Sequence, residues 1–404
     1  MVRIRARYLP VVMAGLLLAG GCKAPATGKS RPAAVHRVTP VAPVLPSVPP
    51  AAPRAVVTLP PPLPPAQASR PWVAKRLNNG DYVDVREIAE RYNLRASWVT
   101  IGLVMQLADA RGVVRLKFES KDHAFILDGT RVSLGETTVF NQDSLFISRI
   151  DVIKSVAPLL RPAEFAAQMP GPPRLIVLDA GHGGADPGTR NLVMHLDEKN
   201  LTLDVVLRLK KLLEGRGYRV ILTRSDDSKL AAAQRPDLEQ RDEVANRTKA
   251  DLFLSVHFNS APATVTGTET YVMTPQFQIS TGEAKDATVD KAFPGNQQDL
   301  ANIVLGYHLQ RCLLAGLNSS DRGCKRGRRL VLCFPECPAA LVEAAYLSNN
   351  TEASRLATPE HRQRIAQALA AGIDEYSAAL AALHPAHAGP TEIRPAAAAP
   401  RKNP

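Results

Sequence analysis

Leu175-Ile-Val-Leu-Asp-Ala-Gly-His-Gly-Gly-Ala-Asp-Pro-Gly188 decides how the rest of the chain is read. Its apolar start, residues 175–178, predicts a buried strand of a parallel sheet. The run stops in a glycine-rich turn carrying His182, where glycine permits positive φ and a close approach to a ligand or ion. In open α/β sheets ligands bind beyond the carboxyl ends of the strands, so His182 stands where chemistry is usually placed. A dinucleotide fingerprint competes for the same glycines. It lacks its third glycine, since Asp186 holds that position, and no helix follows at once.

Two further stretches repeat the placement. Asp251-Leu-Phe-Leu-Ser-Val-His257 is an apolar strand ending in histidine, and Ala340-Leu-Val-Glu-Ala-Ala-Tyr346 carries Glu343 inside an apolar run. A carboxylate there is costly unless it is paired or lies near a metal. Three strands that each deliver a ligand-type residue are hard to explain as core packing. Residues 200–215 form an amphipathic helix with Leu201, Val205, Leu209, Leu212 and Leu213 as its buried stripe. Gly215 or Gly217 ends it. Glu198 at its start is either a favourable charge against the helix dipole or a metal ligand. His195, three residues earlier, competes as a ligand unless its loop turns it to solvent.

The alternation continues through a strand at 218–224, a helix at 238–250, strands at 251–259 and 269–273, and a helix at 300–317. A last helix at 360–383 buries Ile365, Leu369, Ile373, Tyr376 and Leu380. This order predicts an α/β fold, a mostly parallel twisted sheet flanked by helices on both faces, over residues 174–383. A small α+β domain precedes it at 72–162. There residues 83–92 read as a helix with Val85, Ile88 and Ala89 inward, and 113–118, 123–127 and 131–134 as strands. Asp128-Gly129 is the hairpin turn between the second and third of these. Residues 146–152 lead into a final short helix.

Before residue 72 the chain changes character. Arg3, Arg5 and Arg7 precede an apolar run at 9–19 that is too short to span a bilayer and reads as a secretory signal. Leu18-Ala-Gly-Gly-Cys22 resembles a bacterial lipoprotein box, which makes Cys22 the lipidated first residue of the mature chain; Ala19 departs from the usual leucine. Lys23, rather than aspartate, suggests sorting to the outer membrane, facing the periplasm, with a plain signal peptide as the alternative. Residues 23–71 are rich in Pro, Ala and Val and favour extended polyproline II, a spacer from the anchor. Residues 384–404, also Pro/Ala-rich, are expected to be disordered.

At 404 residues and 45% hydrophobic content the chain has room for two domains. Its net charge of +12 favours anionic partners. No nucleic-acid motif or basic-aromatic interleaving appears, so acidic envelope polymers are preferred to nucleic acid, with solubility charge as the bland reading.

Five stretches then occur in a telling order: residues 177–188, 198–203, 222–224, 255–259 and 341–349. They resemble the zinc-dependent N-acetylmuramoyl-L-alanine amidases of the cell-division and spore-lysis type, over about residues 174–376. The resemblance makes Glu198 a ligand beside His182 and His257, a His₂Glu set of the kind that leaves a fourth zinc position open for water. Glu343 is then the general base. The implied bond is the amide between N-acetylmuramic acid and L-alanine of the peptidoglycan stem peptide; the residues by themselves support metal-assisted amide hydrolysis. Asp186, Arg224, Arg241 and Asn246 also match family positions and are read as structural, with Asn259 lining the site. Some relatives insert a helix near residues 274–298 that occludes the zinc until an activator protein removes it. The low apolar content here predicts a substrate-groove loop instead. A catalytically inactive wall-binding homologue and a zinc amidohydrolase of another acylated peptide are the competing readings.

The small domain loosely resembles one found at the amine-oxidase N-terminus and in bacterial wall proteins, which leaves wall binding, partner docking or plain packing open. Cys312, Cys324, Cys333 and Cys337 allow three disulfide connectivities, and at least one disulfide is expected of an exported chain. Buried free thiols are the alternative for Cys333 and Cys337.

Overall fold

The computed structural model describes residues 70–384, apart from 79, 229 and 231–233. Cys22 with its signal, nearly all of the spacer and the tail beyond His384 lie outside the described residues. Among the described residues no helix is long and apolar enough to cross a membrane.

The first part of the fold is β1 (Ala74–Leu77), β2 (Gly80–Asp84), α1 (Val85–Arg91), β3 (Arg95–Thr100), β4 (Val104–Ala108), β5 (Val114–Glu119), β6 (Ala124–Leu127), β7 (Thr130–Ser133), β8 (Val139–Asn141) and β9 (Ser144–Ser148). The expected helix starts later than residue 83. Val83 and Asp84 are claimed by β2, which pairs with β9. The Asp84 carboxylate then accepts from the Arg86 amide at 2.7 Å as the N-cap of α1. Val85, Ile88 and Ala89 are buried, as the spacing predicts. Asp128 and Gly129 both take positive φ, 46° and 83°, which a two-residue turn between β6 and β7 requires. Helical turns α2 (Arg149–Asp151) and α3 (Ala157–Leu160), joined through a π-turn at Val152–Val156, close this part.

The second part begins with β10 (Leu175–Ala180), followed by the small ribbon β11 (Arg190–Asn191) and β12 (Leu196–Asp197), then α4 (Glu198–Glu214), β13 (Arg219–Leu222), α5 (Gln234–Thr248), β14 (Leu252–Asn259) and β15 (Thr268–Val272). It ends with α6 (Asp299–Leu317), β16 (Asp321–Arg326), α7 (Leu330–Cys333), β17 (Ala339–Tyr346), α8 (Asn350–Leu356) and α9 (Pro359–Leu383). The strand order β13-β10-β14-β17-β15-β16 is parallel throughout, except that β15 runs antiparallel to β17. This is the α/β class expected. Helices α4, α6 and α9 share one core with Ile176, Leu178 and Val256. On the other face Val177, Phe253 and Leu341 pack with α5 and α7 through Ala245, Val331 and Leu332. Along β10 and β14 apolar residues point both ways, as burial on both faces demands. In α9 all five predicted core residues are buried, whereas Leu212 of α4 is only partly so.

The sheet does not stop at β16. Cys324 pairs with Val132, so β16 runs parallel to β7 and the sheet continues through β6, β5, β4 and β3 to eleven strands. Polar contacts fasten the same seam. The buried guanidinium of Arg326 donates to Ser155 Oγ at 2.6 Å and to the Lys154 carbonyl at 2.8 Å. The Arg131 amide donates to Asp321 at 2.7 Å, and Gln278 donates to the buried Asp151 at 2.7 Å.

One expectation fails here. Cys312, Cys324, Cys333 and Cys337 are all free and buried, with no disulfide among them. Cys324 faces the core shared with α6, while Cys333 and Cys337 lie in the opposite layer beside α7, so the sheet separates them. Burial pushes their thiols up, to about 11 for Cys333 and about 12 for the others.

Candidate metal centre

His182 follows β10 directly and takes φ of 62°, a left-handed conformation that turns its ring back over the strand end. Glu198 is the first residue of α4 and is buried. His257 lies near the end of β14, before a register shift that separates it from Asn259. These three residues meet: one ligand atom from each lies within 4.8 Å of the others. Glu198 Oε1 is 3.1 Å from His182 Nε2 and 3.0 Å from His257 Nδ1. Glu198 thus begins a helix and also faces two imidazoles.

Close packing of these groups depends on glycine. A Cβ on Gly181 would collide with the His257 ring, and one on Gly188, at φ +67°, would come within 2.6 Å of both Glu198 Oε2 and His182 Cδ2. The His182 ring is held from behind, where Nδ1 donates to Asp186 Oδ2 at 3.0 Å. A carboxylate on the far nitrogen fixes the tautomer and presents Nε2 to an ion. Burial works against a charged His182, but its contacts with Glu198 and Asp186 prevail and raise its pKa. Burial likewise opposes ionisation of Glu198, and the two histidines overcome it and hold its pKa low.

Two imidazole nitrogens and a carboxylate oxygen, oriented by an outer carboxylate, fit a tetrahedral zinc ion with one position left open. Beneath the site lies a second layer. Asp179 accepts from Thr223 at 2.6 Å, Ser255 at 2.7 Å and Arg241 at 2.7 Å. Arg241 also donates to the carbonyls of Ala180 and His182. Arg224 donates to the carbonyls of Ala180, Gly181 and Lys199, tying the His182 loop to the start of α4. Asn246 donates to the Phe334 carbonyl. Arg224, Arg241 and Asn246 thus reach backbone carbonyls, while Asp179 gathers side-chain donors.

Glu343 lies on β17 opposite His257. Its Oε2 is buried and has no hydrogen-bond partner. Burial, then the nearby carboxylates of Glu198 and Glu269, push its pKa well up. Asn259 does not face the metal ligands; it donates to Glu269 Oε1 at 2.6 Å. Glu269 also accepts from Tyr271 at 2.9 Å, Tyr346 at 3.0 Å and Lys325. His195 is exposed at the tip of the β11–β12 ribbon and outside the cluster. Residues 274–298 hold no plugging helix, only the 3₁₀ turn Pro294–Gln298. Arg328 clasps this segment through the carbonyls of Pro275 and Gln278 and through Asp286. Arg328 lines the 350 Å³ cavity beside His182 and His257, whereas Pro275, Gln278 and Asp286 do not.

Asp179 and Glu269 escaped the sequence reading. The signal that exposed Glu343, a carboxylate inside a buried apolar strand, was present for Asp179 as well.

Residues 176–375 match the family described as N-acetylmuramoyl-L-alanine amidase. The chain is 32% identical over 221 residues to the uncharacterized protein YqiI of Bacillus subtilis, covering 55% of this chain and 93% of YqiI. It is 27% identical over 290 residues to the N-acetylmuramoyl-L-alanine amidase LytC of the same organism, covering 72% of this chain and 52% of LytC. Among solved structures, the CwlD amidase of Clostridioides difficile in complex with the GerS lipoprotein is 27% identical. It covers 51% of this chain and 99% of CwlD, with a TM-score of 0.43.

Proposed function

This chain belongs to the N-acetylmuramoyl-L-alanine amidase family, and on that premise we propose that it is a zinc-dependent peptidoglycan hydrolase. The bond cut is the amide between N-acetylmuramic acid and L-alanine of the stem peptide. His182, Glu198 and His257 are the residues that would hold the ion, and their convergence within 4.8 Å is the observation that carries the reading. Zinc in such a set polarises the scissile carbonyl and brings the pKa of water to about 7.

The chain's own residues supply the rest. Asp186 holds His182 in one tautomer, and the Asp179–Arg241 pair fixes the strand end and loop from below. Glu343 takes a proton from the attacking water as the new C–O bond forms. It then gives that proton to the amine nitrogen as the C–N bond breaks. Its unpartnered Oε2 suits an atom whose partner is the reacting water.

The same reading includes envelope localisation. The Arg3–Arg5–Arg7 run before an apolar stretch, and Cys22 after it, support a lipid anchor, and Lys23 supports its placement in the outer membrane, facing the periplasm. An activating protein partner belongs to this reading and rests on family resemblance.

The test is release of stem peptides from purified peptidoglycan, with and without a chelator, alongside metal analysis. Chelator-sensitive release with about one zinc per chain is expected. Zinc without release would favour a wall-binding homologue or another acylated peptide as substrate. Absence of zinc from the active protein would overturn the ligand assignment.

A further inference from the structure

Residues 322–329 concentrate positive charge beside the metal centre: Arg322, Lys325, Arg326, Arg328 and Arg329. Four of the five have fixed partners. Arg322 and Lys325 pair with Glu269, Arg326 is buried against Ser155 and Lys154, and Arg328 pairs with Asp286. Arg329 differs. It is exposed, and among the described residues no carboxylate forms an ion pair with it.

Its position is nevertheless well defined. The Arg329 carbonyl accepts from the amides of Leu332 and Cys333, which pins the backbone at the start of α7. The guanidinium lies over the Tyr271 ring, 4.8 Å from the centroid. Tyr271 is itself fixed, because its hydroxyl donates to Glu269 at 2.9 Å. Arg329 lines the same 350 Å³ cavity as His182 and His257, and its charge is felt at Glu343. An aromatic platform thus holds an uncompensated guanidinium at the wall of the reaction cavity.

Resting on the amidase reading above, we propose that Arg329 determines substrate specificity by binding a free carboxylate on the peptide side of the scissile amide. A guanidinium presents a planar fork of donors that matches a carboxylate in two parallel hydrogen bonds. In a stem peptide whose second residue is γ-linked glutamate, the first free carboxylate beyond L-alanine is the α-carboxylate of that residue. The group recognised is therefore acidic, and its amide counterpart, with a neutral head, is the disfavoured substrate.

The test uses the full-length protein loaded with zinc and two soluble muramoyl-peptides, identical except that this α-carboxyl is free in one and amidated in the other. Wild type is expected to favour the acid in kcat/KM by roughly ten- to a hundredfold, mostly through KM. Arg329→Gln should erase that preference with zinc content and melting temperature unchanged. Arg329→Lys should restore part of it, and Arg329→Glu should reverse it. Equal cleavage of both peptides by wild type, or a preference retained in Arg329→Gln, would overturn the assignment while leaving the amidase intact. Failure of wild type to cleave either peptide would overturn the amidase reading and this inference together.

Discussion

His257 and Glu343 are register partners on the adjacent parallel strands β14 and β17. Residues at one level of a parallel pair point to the same side of the sheet. A candidate metal ligand and the proposed base are thus delivered side by side by backbone pairing, before any loop contributes. Glu343→Gln keeps the shape of the side chain and removes the proton acceptor. Cleavage should fall by roughly 10²- to 10⁴-fold, with zinc retained. Metal analysis of the same sample that is assayed for peptide release checks this; a variant that cleaves at the wild-type rate assigns the base elsewhere.

Gly188→Ala tests how closely the ligands are packed. The added methyl would sit 2.6 Å from Glu198 and His182 in a left-handed backbone conformation. Zinc stoichiometry and activity should fall together, while the far-ultraviolet circular dichroism stays that of the wild type. Full zinc occupancy in the variant would show that the loop has room to yield.

Arg241→Met leaves Asp179 buried without its cation. The pair is almost wholly buried, at 2% and 0% exposure, and breaking one side of such a pair costs about 3–5 kcal/mol. Urea unfolding should show that loss. Adding Asp179→Asn should recover part of it, because the stranded charge is then gone. An unchanged midpoint in the single variant would mean that the serine and threonine donors suffice.

Glu375 on α9 gives a pH dependence away from the metal. Burial acts to raise its pKa, but hydrogen bonds from His308 and Cys312 and the charge of Arg311 bring it down to about 2 from an ordinary 4.5. A folded pKa below the unfolded one adds stability above the unfolded value, and that stability is lost as pH falls through the folded one. The protein should therefore lose stability between about pH 4.5 and 2, and Glu375→Gln should lose less of it in that window. Thermal melts at stepped pH would show parallel curves for both proteins if Glu375 made no contribution.

The candidate metal centre was legible because each of its parts had a local signal. His182 and His257 end apolar runs, Glu343 interrupts one, and Glu198 opens an amphipathic helix. The stripe of α9 was legible for the same reason, since its 3.6-residue period is set within one element. Pairing of Val132 with Cys324 carried no such signal. These residues are far apart in sequence, and packing of α6 and the Arg326 contacts selects their register. Strands β3 and β4 were missed because β3 is mostly exposed and β4 mostly buried on both faces, so neither shows the clean alternation that marks a half-buried strand. The disulfide expectation followed from compartment chemistry; in the fold the sheet lies between Cys324 and the layer that holds Cys333 and Cys337, and all four thiols are buried and free.

Continuity between β7 and β16 bears on how this enzyme can be shortened. An amidase cut free at residue 170 would display the naked flank of Asp321–Arg326, a row of backbone donors and acceptors open to any passing strand. The Arg326 guanidinium would also lose Ser155 and Lys154, the groups that make its burial tolerable. Such a fragment is destined to cling to its own copies. Its silence in an assay would report precipitation rather than a missing grip on the cell wall.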